Sequence, residues 1–544
     1  MSPESALEVG DNLDDLRRIQ SLEATKERIM IASDHMKTRL EWQATGTAVQ
    51  TGYSCGYCKS PNTNFSHGMW AHELTVEDYQ NLIDRGWRRS GMYCYKPTMT
   101  QTCCPLYTIR CDATNLKLSK SQKKILKRMT KFLKDGIKQN TNEETCAEKE
   151  SVGALEGENS HEAALLERVT DKFQRNKTKM TSIDESVNEN KLVRDSSSNP
   201  TVSVLNPSNI EPKDESAVTK LDTKESIRLK TPRPGDGMDP SKPQCKKAKI
   251  LRLERKKKKL EEKEAPMEIN KSNNEPKEKS LEDFIRESQQ TGSKNVLELR
   301  LVNSSPPSDE FQATFEESHA LYAKYQMTIH KDPPSKCSKS GYIRFLIRSP
   351  LQPYKDDQGP PPGYGSFHQQ YWLNGKLIAV GVIDILPKCI SSVYFFYDPD
   401  YSFLSLGTYG SLRELELVRS FAEKCTNLKY YYMGFYIHSC PKMKYKARLT
   451  PSYLLCPEVY SWHPVEQCIP KLNLVKYSRL NDDESAVCED SNISLNQVLI
   501  LWNHTAMTYG TYKSRSRKQD ENEVKEYAEL VGKRASQNML LFRE

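Results

Sequence analysis

Four thiols in two short stretches carry the sharpest chemistry in this chain. Cys55 and Cys58 are spaced as a Cys-x2-Cys knuckle, and Cys103 and Cys104 are adjacent, just ahead of Leu106–Arg110. Such a set can close a tetrahedral zinc site or hold an iron–sulfur cluster, because thiolates are soft anionic ligands. Adjacent residues reach one metal only with a strained backbone, so Cys94 and Cys111 are alternative ligands for the second pair. Reduced cysteines packed in a small core are the competing reading, and a redox pair lacks the βαβ unit that would surround it. The chain holds 15 cysteines, an odd number, and its start is acidic and polar, unlike a signal peptide. Both features point to a reducing compartment, which makes the expected location cytoplasmic.

Three further constellations lie in the second half. Asp398–Ser411 joins a strand to a helix and carries Ser405, Gly407, Tyr409 and Gly410; small residues at a helix N-terminus can cradle an anion. Tyr430–Lys446 is an aromatic strand running into a loop with His438, Lys442, Lys444 and Lys446, where rings stack on bases and ammonium groups meet phosphate or carboxylate. In Gly365–Trp372, strand alternation puts Phe367, Gln369 and Tyr371 on one face and His368, Gln370 and Trp372 on the other. His368 is a candidate general base there, against the blander reading of a satisfied structural histidine.

The elements that must position these groups are legible in outline. Thr75-Val76-Glu77-Asp78 resembles a capping box, followed by apolar Tyr79, Leu82 and Ile83 and a stop at Gly86. Met92–Tyr95 and Leu106–Arg110 read as strands, and Ser119–Lys134 as a basic amphipathic helix. Leu297–Val302 alternates as a strand, Phe311–Met327 is helical, and Asn374-Gly375 between two apolar runs signals a hairpin. Ser392–Tyr397 and Leu428–Tyr436 are further strands, with a helix at Gly410–Glu423 between them.

Composition sets the boundaries. Over 544 residues only 36% is hydrophobic and 28% is charged, so part of the chain cannot offset its ordering entropy. Residues 1–50 read as a polar extension with helical spacing toward Leu40, and 51–136 as a cysteine-rich metal-binding domain ending in the basic helix. Residues 137–285 have the composition of a disordered charged linker, and 286–544 read as the larger domain. The fold class expected is α+β. A basic run at 246–259 fits a nuclear import signal, an RNA-contacting arm or a solvated helix. The net charge of +8 is clustered, which suits RNA. No run of 18 apolar residues exists, so no membrane partner is expected.

Several long motifs occur together: CGYCKS, GMWAHELTVEDYQNLIDRGWRRSG, TCCPLYTIRC, SLEDFI, GYGSFHQQYWLNGKLIAVGVIDILP, YDPDYSFLSLGTYGSLRE and YYYMGFYIHSCPKMKYK. In these the chain resembles the eukaryotic arginyl-tRNA–protein transferases. The resemblance covers both folded regions and implies a good deal. The larger domain would have a GNAT-like α/β fold adapted to arginyl-tRNA as co-substrate. Cys55, Cys58, Cys103 and Cys104 would hold zinc or an iron–sulfur cluster. Arginine would pass to the α-amine of proteins beginning with Asp or Glu, or with oxidised Cys, creating an N-degron for the ubiquitin pathway.

On that chemistry roles can be assigned. Lys442, Lys444 and Arg448 are candidates for the acceptor carboxylate, and Asp384, Asp398 or Asp400 for the arginine guanidinium. His368, Tyr371 or His438 would handle the proton, and Ser405, Gly407 and Tyr409 would cradle the terminal phosphate or ester. Lys120, Lys123, Lys124 and Lys127, with Arg85, Arg88 and Arg89, would hold the tRNA body. The segment at 404–411 lacks the usual GNAT pyrophosphate pattern, which argues against coenzyme A. A non-catalytic metal-dependent RNA adaptor and a CoA-dependent acetyltransferase are the rival classes.

Overall fold

The computed structural model describes residues 39–43, 52–138, 279–289 and 292–543. The stretch read as a linker, its basic run at 246–259 and most of the 1–50 extension lie outside the described residues. Fifteen strands among the described residues form two sheets. The first has seven strands in the order β14-β13-β15-β1-β2-β4-β3. Its members are β1 (Arg39–Gln43), β2 (Ser66–Glu73), β3 (Arg88–Ser90), β4 (Tyr93–Pro97), β13 (Leu499–Trp502), β14 (Thr505–Thr508) and β15 (Leu540–Arg543). The second has eight, in the order β12-β11-β5-β10-β9-β8-β7-β6. Its members are β5 (Tyr107–Asp112), β6 (Leu297–Ser305), β7 (Gly365–Leu373), β8 (Lys376–Leu386), β9 (Cys389–Tyr397), β10 (Tyr430–Tyr436), β11 (Ser452–Leu455) and β12 (Trp462–Pro464).

The mixed α+β class is as expected, but the cysteine-rich region and the larger region interleave. β5 sits between β10 and β11 in the second sheet, and β15 pairs in parallel with β1 in the first. Arg39–Gln43, inside the extension read as helical, is therefore a strand, with Leu40 fully buried. One apolar core runs across the seam: Tyr95, Leu106, Tyr107 and Ile109 share a cluster with Phe435, Tyr436 and Leu454. Each such side chain contributes roughly 1.5–3 kcal/mol by leaving water.

Local signals in the sequence set the elements. Helix α1 (Val76–Ile83) starts at Thr75, whose Oγ1 accepts from the Asp78 N–H at 3.1 Å. Helix α2 (Lys120–Asp135) has a reciprocal box between Ser119 and Gln122 and ends on left-handed Gly136. Helix α3 (Leu281–Ser288) repeats that box with Ser280 and Asp283. The β7–β8 hairpin turns at Asn374 and Gly375, both at positive φ (50° and 79°), as a two-residue type I′ turn requires. Helix α4 (Phe315–Tyr325) follows a break at Thr314 and passes into a wider turn at Gln326–His330. Helix α5 (Leu406–Ala422) begins four residues earlier than Gly410, directly after Ser405, which has φ 54°.

Helices α4 and α5 cover opposite faces of the eight-stranded sheet. Tyr322 of α4 packs on Phe396, whereas Gly410 of α5 lies against Phe395. β3 and α1 lie on the α4 side, because Arg89 reaches Asp384, which alternates away from the α5-facing Gly381. Among the described residues no helix is long and apolar enough to cross a membrane.

Candidate active site and metal centre

β9 and β10 are parallel neighbours that part company. They pair at Cys389–Ser391 with Tyr430–Tyr432 and no further. β10 then bulges: its register against β5 shifts between Tyr432 and Phe435, with Gly434 at φ 69°. The bulge is clamped by Lys446, a buried lysine whose Nζ donates to the carbonyls of Met433 (2.7 Å) and Phe435 (2.8 Å). Between the parted strands lies a cavity of about 50 Å³. Ser392–Phe395 and Met433–Gly434 form its edges; Tyr79, Arg88 and Arg89 reach it from one face, and Gly407, Ser411 and Glu414 from the other.

Among the described residues, two ionisable groups of this cavity lack a counter-ion. Arg88 is 4% exposed, and its guanidinium donates only to carbonyls, of Trp87 at 2.6 Å and Gly434 at 3.2 Å. It lies over the Phe435 and Tyr432 rings, its Nε is buried without a partner, and no carboxylate pairs with it among the described residues. Glu414 is 1% exposed; its Oε2 accepts from the Tyr431 hydroxyl at 2.6 Å while Oε1 is buried and unpartnered. Burial pushes the Glu414 carboxyl up to about 7, against hydrogen bonding from the Tyr431 and Ser392 side chains. A buried charge without a partner is costly, so each is a place where an ionic ligand would be favoured.

Of the residues nominated from sequence, Arg88, Arg89 and Gly407 line this cavity, and the rest are placed elsewhere. Arg89 is not a surface cation: it forms a bidentate pair with Asp384, at 2.8 and 2.6 Å, which Ser366 completes. Asp384 is thereby already engaged by a guanidinium of the chain itself. Asp398 is held by Lys324 and Lys376, and Asp400 by Lys324, so neither awaits an arginine. Arg85 is also buried, stacked on the Tyr460 ring at 4.2 Å and donating to the Glu529 carbonyl. Arg85, Arg88 and Arg89 therefore cannot grip a tRNA body.

The nominated proton handlers fare similarly. His368 is fully buried on the α4 side; its Nε2 meets the Leu346 carbonyl at 3.1 Å, and burial lowers it to about 4. Tyr371, on the opposite face, is buried and donates to Gln369 Oε1 at 2.8 Å. His438 is half-buried between Tyr436 and Asn473. Tyr409 is buried, with Arg413 donating to its hydroxyl at 3.2 Å. Lys444 and Arg448 are exposed and Lys442 is half-buried; none of them lines the cavity, although Tyr445 of the same loop does.

Glu414 is the group sequence reasoning missed. Its signal is the spacing Gly407, Ser411, Glu414, Val418, Phe421, a buried stripe on α5.

A basic helix packs at the start of α5, outside the cavity lining. α2 packs beside α5, with Phe132 edge-on to Phe403 and Arg128 donating at 3.1 Å to both Phe403 O and Ser405 Oγ. Lys120, Lys124 and Lys127 are exposed on it and Lys123 is half-buried. Gln122 donates to the Arg448 carbonyl, which continues the basic face into the loop after β10.

The four cysteines converge as expected. The sulfurs of Cys55, Cys58, Cys103 and Cys104 all lie within 4.8 Å of one another, with Cys58 and Cys103 3.4 Å apart. Cys94 and Cys111, the alternatives, are buried in β4 and β5 outside this group. The knuckle is closed by Cys55 N–H to Ser60 O (2.9 Å) and Lys59 N–H to Cys55 O (3.1 Å), and Thr63 donates to Cys103 Sγ at 3.1 Å. The Ser60 backbone draws the Cys58 thiol down to about 7. With metal–sulfur bonds of about 2.3 Å, a tetrahedral ion needs thiolates about 3.8 Å apart, a spacing inside the 4.8 Å bound of this set. The cysteines brace the start of β5, the strand hydrogen-bonded to the bulged β10. Cys55→Ser is expected to release bound metal, lower the melting temperature and reduce activity without touching the cavity; unchanged metal content and melting would refute the ligand assignment.

Comparison with known proteins adds the following. A family model described as the N terminus of arginine-tRNA-protein transferase matches residues 53–124, and one for its C terminus matches 317–456. An arginyl-tRNA–protein transferase 1 of Drosophila melanogaster is 44% identical over 504 residues, covering 89% of this chain and 96% of the relative. One from Arabidopsis thaliana is 36% identical over 485 residues, covering 79% and 74%. An aspartate/glutamate leucyltransferase of Campylobacter jejuni is 40% identical over 85 residues, covering 16% and 34%.

Proposed function

Because this chain belongs to the arginine-tRNA–protein transferase family, and so moves arginine from tRNA onto proteins, we propose that its acceptor is the α-amine of an N-terminal Asp or Glu. The amine meets the arginyl ester at the mouth of the β9–β10 cavity. The observation that carries this is Arg88, a buried cation beside the cavity with no carboxylate of its own among the described residues. An acidic side chain arriving there would supply the missing anion. The bacterial relative's name, aspartate/glutamate leucyltransferase, points the same way. An N-terminal cysteine oxidised to an acid would meet the same requirement.

The reaction asks for positioning more than for new chemistry. The neutral amine attacks the ester carbonyl, a tetrahedral oxyanion forms, and the terminal ribose oxygen of the tRNA leaves as a hydroxyl, taking up the proton the amine gives up as the amide closes. Backbone beyond Ser391, freed of its β10 partner, is suited to meet the oxyanion. This parting of parallel strands beside the start of α5 supports a GNAT-like use of the sheet. The arginyl ester would enter on the α5 face, where α2 presents its lysines, and the acceptor on the face of Arg88 and Tyr79. The close sulfur set favours one tetrahedral ion over a cluster, whose thiolates sit on separate irons and stand further apart. That ion would brace the β5 side of the sheet. The product, carrying N-terminal arginine, would be an N-degron.

The direct test supplies purified protein with labelled arginine, tRNA, the cognate synthetase and peptides beginning with Asp, Glu or Asn. Label should reach the Asp and Glu peptides only, and ribonuclease should abolish it; equal labelling of the Asn peptide ends the acceptor reading. On the tRNA side, Lys124→Glu with Lys127→Glu is expected to raise KM for arginyl-tRNA and flatten its salt dependence, by about 0.9 in log–log slope per lost phosphate contact. An unchanged KM and slope would remove α2 from the tRNA path.

A further inference from the structure

The second orphan charge of the cavity has a different use. We infer that Glu414 is the specificity carboxylate for the transferred amino acid: its free Oε1 receives the guanidinium of the arginyl group, so the enzyme selects a cationic side chain on the tRNA. The inference rests on reading the cavity as the reaction centre and goes beyond it, since nothing in the transfer chemistry itself demands arginine.

Three observations carry it. First, the carboxylate is 1% exposed, yet among the described residues its Oε1 has no partner at hydrogen-bond geometry, the Ser392 side chain being the other donor beside the carboxyl, and Glu414 lines the cavity. Its other oxygen is fixed by the Tyr431 hydroxyl at 2.6 Å, so the free oxygen has a set position. Second, the size fits. A cavity of about 50 Å³ holds roughly three to five water-sized groups at about 10–15 Å³ each, and a guanidinium head has four heavy atoms. Third, the side fits. Glu414 stands on the α5 face, the face on which Arg128 ties the basic helix α2 to Phe403 and Ser405. Arg88 and Tyr79 stand on the other. The acidic pocket is thus on the tRNA side and the basic one on the acceptor side, which matches a cationic donor and an anionic acceptor. The remaining carboxylates nominated for this role, Asp384, Asp398 and Asp400, are each engaged by a cation of the chain. β8 also leaves room for the free oxygen: a side chain at Gly381 would put its Cβ 2.7 Å from Glu414 Oε1.

The test compares one tRNA charged with arginine or with citrulline, a neutral isostere of nearly the same shape, using the full chain and an Asp-initiated peptide. The wild type should prefer arginine strongly. Glu414→Gln should cut that preference by about tenfold or more, chiefly by losing arginyl transfer, since an ionic hydrogen-bond partner is gone. Tyr431→Phe, which keeps the carboxylate, should retain the preference. If Glu414→Gln fails to fold, Gly381→Ala decides, because its methyl must displace Oε1; a wild-type preference in that variant overturns the inference. A well-folded Glu414→Gln that keeps the arginine preference also overturns it. So does one that slows both substrates equally and shifts the pH profile, which would make Glu414 the acceptor of the amine proton. Run beside Arg88→Met, the outcomes separate. If neither variant alters transfer, the cavity is not the reaction centre; if only the Glu414 variants are silent, this inference alone falls.

Discussion

Asp384→Asn is expected to destabilise the folded unit by about 3–5 kcal/mol, read as a lowered denaturant midpoint, and to abolish transfer with it. The Arg89 and Asp384 side chains are 3% and 0% exposed, and their bidentate contact joins β3 of one sheet to β8 of the other. Amidation leaves the guanidinium buried with Ser366 and the Gly91 carbonyl as its remaining partners. Neither can balance a full charge out of water, so the cost is that of an orphaned ion rather than of one hydrogen bond. Arg89→Met should cost a similar amount, because Asp384 is then the orphan. The double variant Arg89→Met/Asp384→Leu should lose much less than the sum, since two apolar side chains replace two charges. A midpoint for Asp384→Asn within about 0.5 kcal/mol of wild type, the range of ordinary surface changes, would mean that the pair is not a structural tie.

That pair shows where the sequence stops being readable. Local signals translated well: the Thr75 and Ser119 caps, the Asn374-Gly375 turn and the Cys-x2-Cys knuckle each depend on residues within a few positions. What failed was long-range. Nothing near Tyr107–Asp112 says that this strand lies between β10 and β11, more than 300 residues away in the chain. Trp87-Arg88-Arg89 therefore looks like a surface cluster for RNA, although the interleaving buries it. Asp384 suffers the same inversion, its apparent vacancy being filled by a guanidinium from the other sheet. Glu414 was hidden for a local reason. Its run Arg413-Glu414-Leu415-Glu416 puts three charges in four residues, which masks the buried stripe that position 414 shares with Gly407, Ser411 and Val418. The four clustered cysteines were legible because such a set needs only its residue types and one close spacing.

Arg88→Met is expected to reduce kcat/KM for Asp- and Glu-initiated peptides by about 2 kcal/mol or more, roughly thirtyfold and beyond, as removal of one partner from a buried charged contact does. Rate alone would not settle its role, because Arg88 also donates to Gly434 O and so helps hold the β10 bulge. The deciding readout is the preference for an Asp peptide over its Asn counterpart. In the wild type the guanidinium at the cavity edge rewards a carboxylate and not an amide. In Arg88→Met the cavity is more apolar, so transfer to Asp should fall much further than transfer to Asn and the ratio should collapse. Arg88→Lys should recover part of the preference and little of the rate: an ammonium supplies the charge, but not the planar fork that spans the Trp87 carbonyl, the Gly434 carbonyl and an incoming carboxylate together. If Arg88→Met melts like the wild type and still favours Asp over Asn by the original ratio, the acceptor carboxylate is read elsewhere. The exposed Lys444, and Arg448 beside α2, would then be the next cations to change.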